Sequence, residues 1–264
     1  MSAHRFAAGI EYDGSAFSGW QIQRNARSVQ EILNAAIANV ANEPVSTAAA
    51  GRTDTGVHAC GQVIHFDSTA RRSVRSWLLG INSNLPDDIA VQWVRTVPGE
   101  FHARYSAVAR TYRYVILDRD VRSALDRHRA WCLRGELAAD RMASAATDLL
   151  GEHDFSAFRG AGCQSRSPIR RVERLTVTRS GDYLQIEARA NGFLYHMVRN
   201  VVGALVRVGT GVAGPRWLAE LLAGRDRRLG AATAPPEGLY LAEVHYPAEL
   251  ALPAARPQPV WRDR

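Results

Sequence analysis

Val45-Ser46-Thr47-Ala48-Ala49-Ala50-Gly51-Arg52-Thr53-Asp54-Thr55-Gly56-Val57-His58-Ala59-Cys60-Gly61-Gln62-Val63-Ile64-His65-Phe66-Asp67 reads as a hairpin. Two β-like runs, Val45 to Ala50 and Gly61 to Asp67, flank a polar loop. One carboxylate, one arginine, one histidine and two glycines crowd into the stretch from Ala50 to Ala59. Glycines let the backbone take φ > 0 and let a ligand come close. Catalytic and binding groups are often carried on such loops, held by rigid elements. Asp and Thr are also ordinary turn formers, so the rest of the chain must decide between a polar tip and a site.

Outward from the hairpin, the pattern is regular on both sides. Arg5 to Tyr12 is a strand ended by the turn signal Asp13-Gly14. Ser28-Val29-Gln30-Glu31 is a capping box, with Ser28 as N-cap and Glu31 reaching back. The helix it opens places Val29, Ile32, Leu33, Ala36, Ile37 and Val40 on one face and ends before Pro44. After the hairpin, Arg72 to Leu79 is a short amphipathic helix stopped by Gly80 and the Asn-Leu-Pro-Asp turn at 84–87, and Ile89 to Val97 is a strand. The order β-α-β-β-α-β is the ferredoxin-like split motif.

The chain then runs through that order again. Tyr105 to Asp118 is a strand, Asp140 to Leu150 a helix, and Arg171 to Arg179 with Tyr183 to Ala190 a hairpin. Phe193 to Val208 is an apolar helix, Pro215 opens a further short one, and Leu239 to Tyr246 closes the set. The expected class is α+β: two ferredoxin-like halves with pseudo-twofold symmetry and mainly antiparallel sheets, joined across a basic cleft. Residues 1–103 form the N-terminal half with the polar loop, 104–247 the C-terminal half, and 248–264 an extended, loosely held tail rich in Pro, Ala and Arg.

Composition narrows the partners. All 33 basic residues are arginine and the net charge is +7. The absence of lysine removes Schiff-base and P-loop lysine chemistry. Codon bias alone would produce that absence, but the excess positive charge still favours polyanions, and guanidinium binds phosphate in bidentate fashion. Three scattered cysteines (Cys60, Cys132, Cys163) suit a reducing compartment. No apolar run reaches membrane-spanning length and no secretory signal opens the chain. A cytoplasmic protein without membrane contact is expected.

Asp54 is a candidate nucleophile, since a carboxylate can attack carbon if a nearby cation keeps it ionised. Arg199, a charge inside the largely apolar run around His196-Met197-Val198-Arg199-Asn200, is the partner expected; the solvent edge of an amphipathic helix is the alternative. Asp54-Thr55-Gly56 also spells the aspartic-protease signature, but it occurs once, lacks the apolar residues before it, and leaves the basic surface without a use. His58, His65 and Asp54 complete no ligand set at familiar spacing, so no metal is expected. Phe101-His102-Ala103-Arg104-Tyr105 and Arg110-Thr111-Tyr112-Arg113-Tyr114 interleave aromatics with arginine, a pattern suited to stacking bases and pairing phosphates. Gly162-Cys163-Gln164-Ser165-Arg166 is a polar loop that could reach phosphate. Together these favour RNA over a protein partner.

Gly51 to Ala59 closely resembles the signature loop of the tRNA pseudouridine synthase A (TruA) family. Glu11-Tyr12-Asp13-Gly14, Gly19-Trp20-Gln21, Ser28 to Glu31, Phe101 to Arg104, Cys163 to Arg166, His196 to Asn200 and Glu237-Gly238-Leu239-Tyr240 extend the likeness over nearly the whole chain. Thr55 departs from it, since Ala is usual there. The resemblance implies the pseudouridine synthase fold and a homodimer that grips tRNA. It implies isomerisation of uridine to pseudouridine at positions 38, 39 and 40 of the anticodon stem-loop, without a cofactor. By the same likeness Asp54 is the nucleophile, paired with Arg199. Tyr112 packs on the target uracil and Arg52 fills the vacated stack; Tyr112, or its phenolate, is also the candidate for removing the C5 proton after reattachment. Phe101, His102, Ala103, Arg104, Tyr105, Gly162, Cys163, Gln164, Ser165, Arg166 and Arg72 contact RNA. The alternative is a non-catalytic RNA-binding protein on the same scaffold.

Overall fold

The computed structural model describes residues 3–255. In chain order it holds β1 (His4–Tyr12), α1 (Val29–Ala41), β2 (Ala48–Ala49), β3 (His58–Ser68), α2 (Val74–Ser83), β4 (Ile89–Val97) and β5 (Ala109–Asp118). There follow β6 (Trp131–Leu133), α3 (Ala139–Ala146), β7 (Gly151–Asp154), β8 (Ile169–Ser180), β9 (Tyr183–Ala190), α4 (Met197–Gly209), α5 (Trp217–Gly224) and β10 (Leu239–His245). The class is α+β with mainly antiparallel pairing, as the sequence pattern requires. No helix among the described residues is long and apolar enough to cross a membrane.

The chain divides into two compact units, 3–108 with 240–255, and 109–239. The first is thus discontinuous, because the chain returns to it with β10, where the sequence suggests two continuous halves. In this unit β1 pairs antiparallel with β3 and β4, setting Phe6 opposite Phe66. β2 and β10 share the other edge of β3. β2 lies antiparallel at His65 and Ile64, and β10 parallel at His58 and Ala59. β2 is only two residues long, against six in the sequence reading. Two α1 side chains claim the backbone of Thr47: Asn34 Oδ1 accepts its N–H (3.1 Å) and Gln30 Nε2 donates to its carbonyl (2.9 Å). A strand cannot extend through a residue whose ladder groups are already bonded.

Helices α1 and α2 cover one face of this sheet, where Phe6, Phe66 and Trp77 meet with ring centroids 5.3–5.4 Å apart. The capping box at Ser28 does not form. Ser28 is the N-cap but makes no side-chain cap bond. The first helical N–H groups donate instead to Gly19 O (3.3 Å) and Trp20 O (3.0 Å). Gly80 does not stop α2, which runs on to Ser83. A Cβ there would lie 3.0 Å from the Val40 side chain, so this glycine serves close packing of α2 on α1 rather than termination.

In the second unit the strand order is β5-β9-β8-β7, all antiparallel, with β6 parallel to β5. Its core joins Tyr114, Leu184 and Ile186 to Met142, Leu149, Phe155, Phe158, Val202 and Leu205, all buried. The apolar helix starts at Met197 rather than Phe193, because His196 is in the left-handed region (φ 59°) and breaks the helical path. Of the expected tail, residues 248–250 form a 3-10 turn and Ala255 lies beside Gly61, whose added Cβ would be 2.9 Å from it. The remainder lies outside the described residues.

Candidate active site

Asp54 sits half-buried in the loop between β2 and β3, and the loop is held on both sides of it. On the N-terminal side the Gln62 amide, fully buried, embraces Gly51: Nε2 donates to Gly51 O (2.6 Å) and Oε1 accepts its N–H (3.3 Å). Thr53 accepts the Trp20 N–H on its carbonyl (3.0 Å) and shares a buried hydroxyl bond of 2.7 Å with Tyr12. On the C-terminal side Gly56 (φ 77°) donates to Phe17 O (3.3 Å), and the Val57 N–H donates to Asp54 O (3.1 Å). Gly19 (φ 93°) has no room for a side chain, since a Cβ would lie 2.8 Å from Thr53 O. His58 accepts the Gly14 N–H on Nδ1 (3.0 Å) and stacks on Tyr240 at 4.7 Å. Nδ1 also lies 3.3 Å from Asp13 Oδ1.

Thr55 and Arg52, on either side of Asp54, are exposed. Gln62 and Tyr12 were not singled out from sequence as site residues. The one signal for Gln62 is a polar side chain inside an apolar strand, which here is fully buried and satisfied.

The second unit carries the other expected catalytic groups. Tyr112, half-buried on β5, meets Phe193 edge-on at 5.1 Å. Arg199 lies in the first turn of α4 and donates Nε to Ala234 O (2.7 Å), while Ala234 N–H returns to Arg199 O (3.1 Å). The strap through Ala234 is secured by Asn200, whose Oδ1 accepts from Thr233 (2.7 Å) and Arg227 (3.0 Å). The Tyr114 hydroxyl donates to Pro235 O at 2.8 Å, and burial pushes its pKa up. Of the arginines flanking Tyr112, Arg113 pairs with Glu187 at 3.1 Å and Arg110 reaches Asn191 O at 3.4 Å.

The expected RNA-contacting residues divide by exposure. Arg104, Tyr105, Arg72, Gly162, Gln164 and Arg166 are exposed. Phe101 and Ala103 are buried, so the Phe101 ring cannot stack a base, and their part is to place their neighbours. In the Gly162–Arg166 loop the Arg159 guanidinium donates to Cys163 O (2.9 Å) and Ser165 O (2.7 Å). Burial raises the Cys163 thiol, but the N–H groups of Tyr195 and Ser165 and the Arg159 charge outweigh it, so its pKa falls below the ordinary value. Among the described residues no three His, Cys, Asp or Glu side chains gather as a metal site.

His65 is buried and accepts the Ala103 N–H on Nδ1 (3.1 Å). Desolvation first, then the nearby His102 and Arg5, lower its pKa to about 4. Because the folded value lies below the unfolded value of about 6.5, the stability contributed by neutral His65 is complete above that pH. It is lost as pH falls from 6.5 towards 4, by up to about 3 kcal/mol. Thermal melts should show this acid loss in the wild type and a smaller one in His65→Asn, which keeps an acceptor but cannot protonate. Equal pH slopes would refute the assignment.

The fold and the clamped carboxylate loop define a class, and comparison with known proteins identifies it: the chain belongs to the tRNA pseudouridine synthase family, a family of isomerases, whose model matches residues 8–106 and 145–247. Among curated relatives it is 54% identical to the tRNA pseudouridine synthase A of Aeromonas hydrophila, over 97% of this chain and 96% of the relative. It is 52% identical to the enzyme of that name from Klebsiella pneumoniae, over 97% and 95%. The Vibrio cholerae enzyme is 53% identical, over 94% of each.

Proposed function

We propose that this chain converts uridine to pseudouridine at positions 38, 39 and 40 of the tRNA anticodon stem-loop, with Asp54 as nucleophile and no cofactor. The observation that carries the reading is the clamp on Asp54. Two buried side-chain anchors, Tyr12 on Thr53 and Gln62 on Gly51, hold a half-buried carboxylate on a loop that plain RNA binding has no need to fix.

The bond balance suits such a group. The N1–C1′ bond breaks, the uracil turns, and C5 bonds to C1′; the C5 proton leaves while N1 gains one. Asp54 supplies the negative charge, and Arg199 is its expected cationic partner by the family likeness. Tyr112 packs on the uracil, and Arg52 fills the stack that the extruded base vacates, a step that costs a few kcal/mol. Exposed Arg72, Arg104 and Arg166 hold phosphates, and two copies of the chain grip one tRNA. The net charge of +7 makes binding fall steeply with salt through counterion release.

The test is release of tritium from tRNA labelled at uridine C5, paired with carbodiimide mapping of the anticodon arm. Stoichiometric release with new carbodiimide stops at positions 38 to 40 is the expected result. Release with stops elsewhere in the tRNA would move the target, and tight binding without release would leave only an RNA-binding protein.

A further inference from the structure

The segment between β4 and β5 is fastened more firmly than a surface loop requires. Both backbone groups of Ala103 are taken by side chains distant in sequence: His65 Nδ1 accepts its N–H (3.1 Å) and the Tyr246 hydroxyl donates to its carbonyl (2.6 Å). Arg5, itself paired with Asp67 at 2.7 Å, donates to Phe101 O at 2.9 Å. His102 Nδ1 accepts the N–H groups of Arg104 (3.1 Å) and Tyr105 (3.3 Å). Three rings follow in contact: His65 meets His102 edge-on at 4.5 Å and 61°, and His102 leans on Tyr105 at 4.3 Å and 33°. The inner end is buried in the sheet, while the outermost ring, Tyr105, is 76% exposed, with the Arg104 guanidinium 5.6 Å from its centroid.

We propose that His65 and Tyr246 are positioning residues that hold Tyr105 as a preset platform for an unpaired nucleobase of the substrate RNA, with Arg104 beside it for the adjoining phosphate. This inference rests on the functional reading above. A base inside a helix has both faces covered by its neighbours, so only a splayed base offers a face to a tyrosine. Ordering the platform before binding removes an entropic cost that a mobile loop would meet on contact. An aromatic ring held open to solvent, backed by the His102 ring and in cation–π contact with Arg104, matches what single-stranded bases stack upon.

Steady-state tritium release from tRNA tests it with conservative variants. Tyr105→Leu removes the ring and should raise KM about tenfold with kcat unchanged, whereas Tyr105→Phe keeps the stacking face and should restore the wild-type KM. Tyr246→Phe deletes one hydroxyl while its ring stays against Phe101, at 5.4 Å, and should raise KM several-fold. Since Tyr246 acts through Tyr105, the double variant Tyr246→Phe/Tyr105→Leu should be no worse than Tyr105→Leu alone. Independent, multiplying effects, a fall in kcat, or an unchanged KM in Tyr105→Leu would each overturn the proposal. A wild-type chain that releases no tritium would sink the functional reading and this inference with it. An active wild type with an indifferent Tyr105→Leu would sink the inference alone.

Discussion

Asp54→Ala is expected to abolish tritium release, by more than about 10⁴-fold in kcat, the scale on which loss of a covalent nucleophile is felt. Binding of tRNA should stay within a few-fold and thermal stability close to wild type. The reason lies in how the loop is built. The anchors around Asp54 use the backbone of Gly51, Thr53, Gly56 and Val57 and the hydroxyl of Thr53, and all of them survive truncation of the carboxylate. The Val57 N–H still finds the carbonyl of residue 54. Asp54→Asn sharpens the test, because it keeps shape and polarity yet cannot form an ester-like bond to carbon. Neither variant removes a positive charge, so neither should weaken attraction to a polyanion. Tenth-wild-type turnover in Asp54→Asn would retire the nucleophile and with it the mechanism.

The fold was legible where periodicity alone decides it. The short run Arg5 to Tyr12 ended by Asp13-Gly14 and the helical spacing from Val29 to Val40 are local signals, and the structure places β1 and α1 there. The errors arose where a distant partner overrides a local signal. Gly80 looks like a helix stop until Val40 is seen packed against it. Ser28 looks like a side-chain cap until the Gly19 and Trp20 carbonyls are seen to serve the helix instead. The site shows the same division. Asp54 and its glycines announce themselves within ten residues, whereas the groups that fix them do not. Tyr12 meets Thr53 across 41 positions of sequence and Tyr246 meets Ala103 across 143. Nothing in a Tyr or Gln tells which distant group it will bind, because hydrogen-bond partnership at that range is a property of the closed sheet.

Gly14→Ala should carry the second large effect, and it tests whether the loop before α1 positions the carboxylate. A Cβ at residue 14 would land on the carbonyl oxygen of Val57, with the His58 nitrogen at 3.1 Å. These are backbone atoms, which cannot swing aside as the end of a side chain can. The added methyl must therefore push the turn at Gly14–Ala16 away from the end of the Asp54 loop, straining the Gly14 N–H bond to His58 and the Gly56 bond to Phe17. Overpacking of this kind costs about 1–3 kcal/mol, and thermal denaturation should show a drop of several degrees. Displacing a reacting group by about 1 Å can cost on the order of 100-fold in rate, so kcat should fall by about that much while KM for tRNA changes little. Gly99→Ala is the control, since a methyl there meets nothing within 4 Å and should leave melting and turnover alone. A Gly14→Ala protein that melts lower but turns over normally would show that the Asp54 loop keeps its geometry without this contact, and the positioning role would pass to Tyr12 and Gln62 alone.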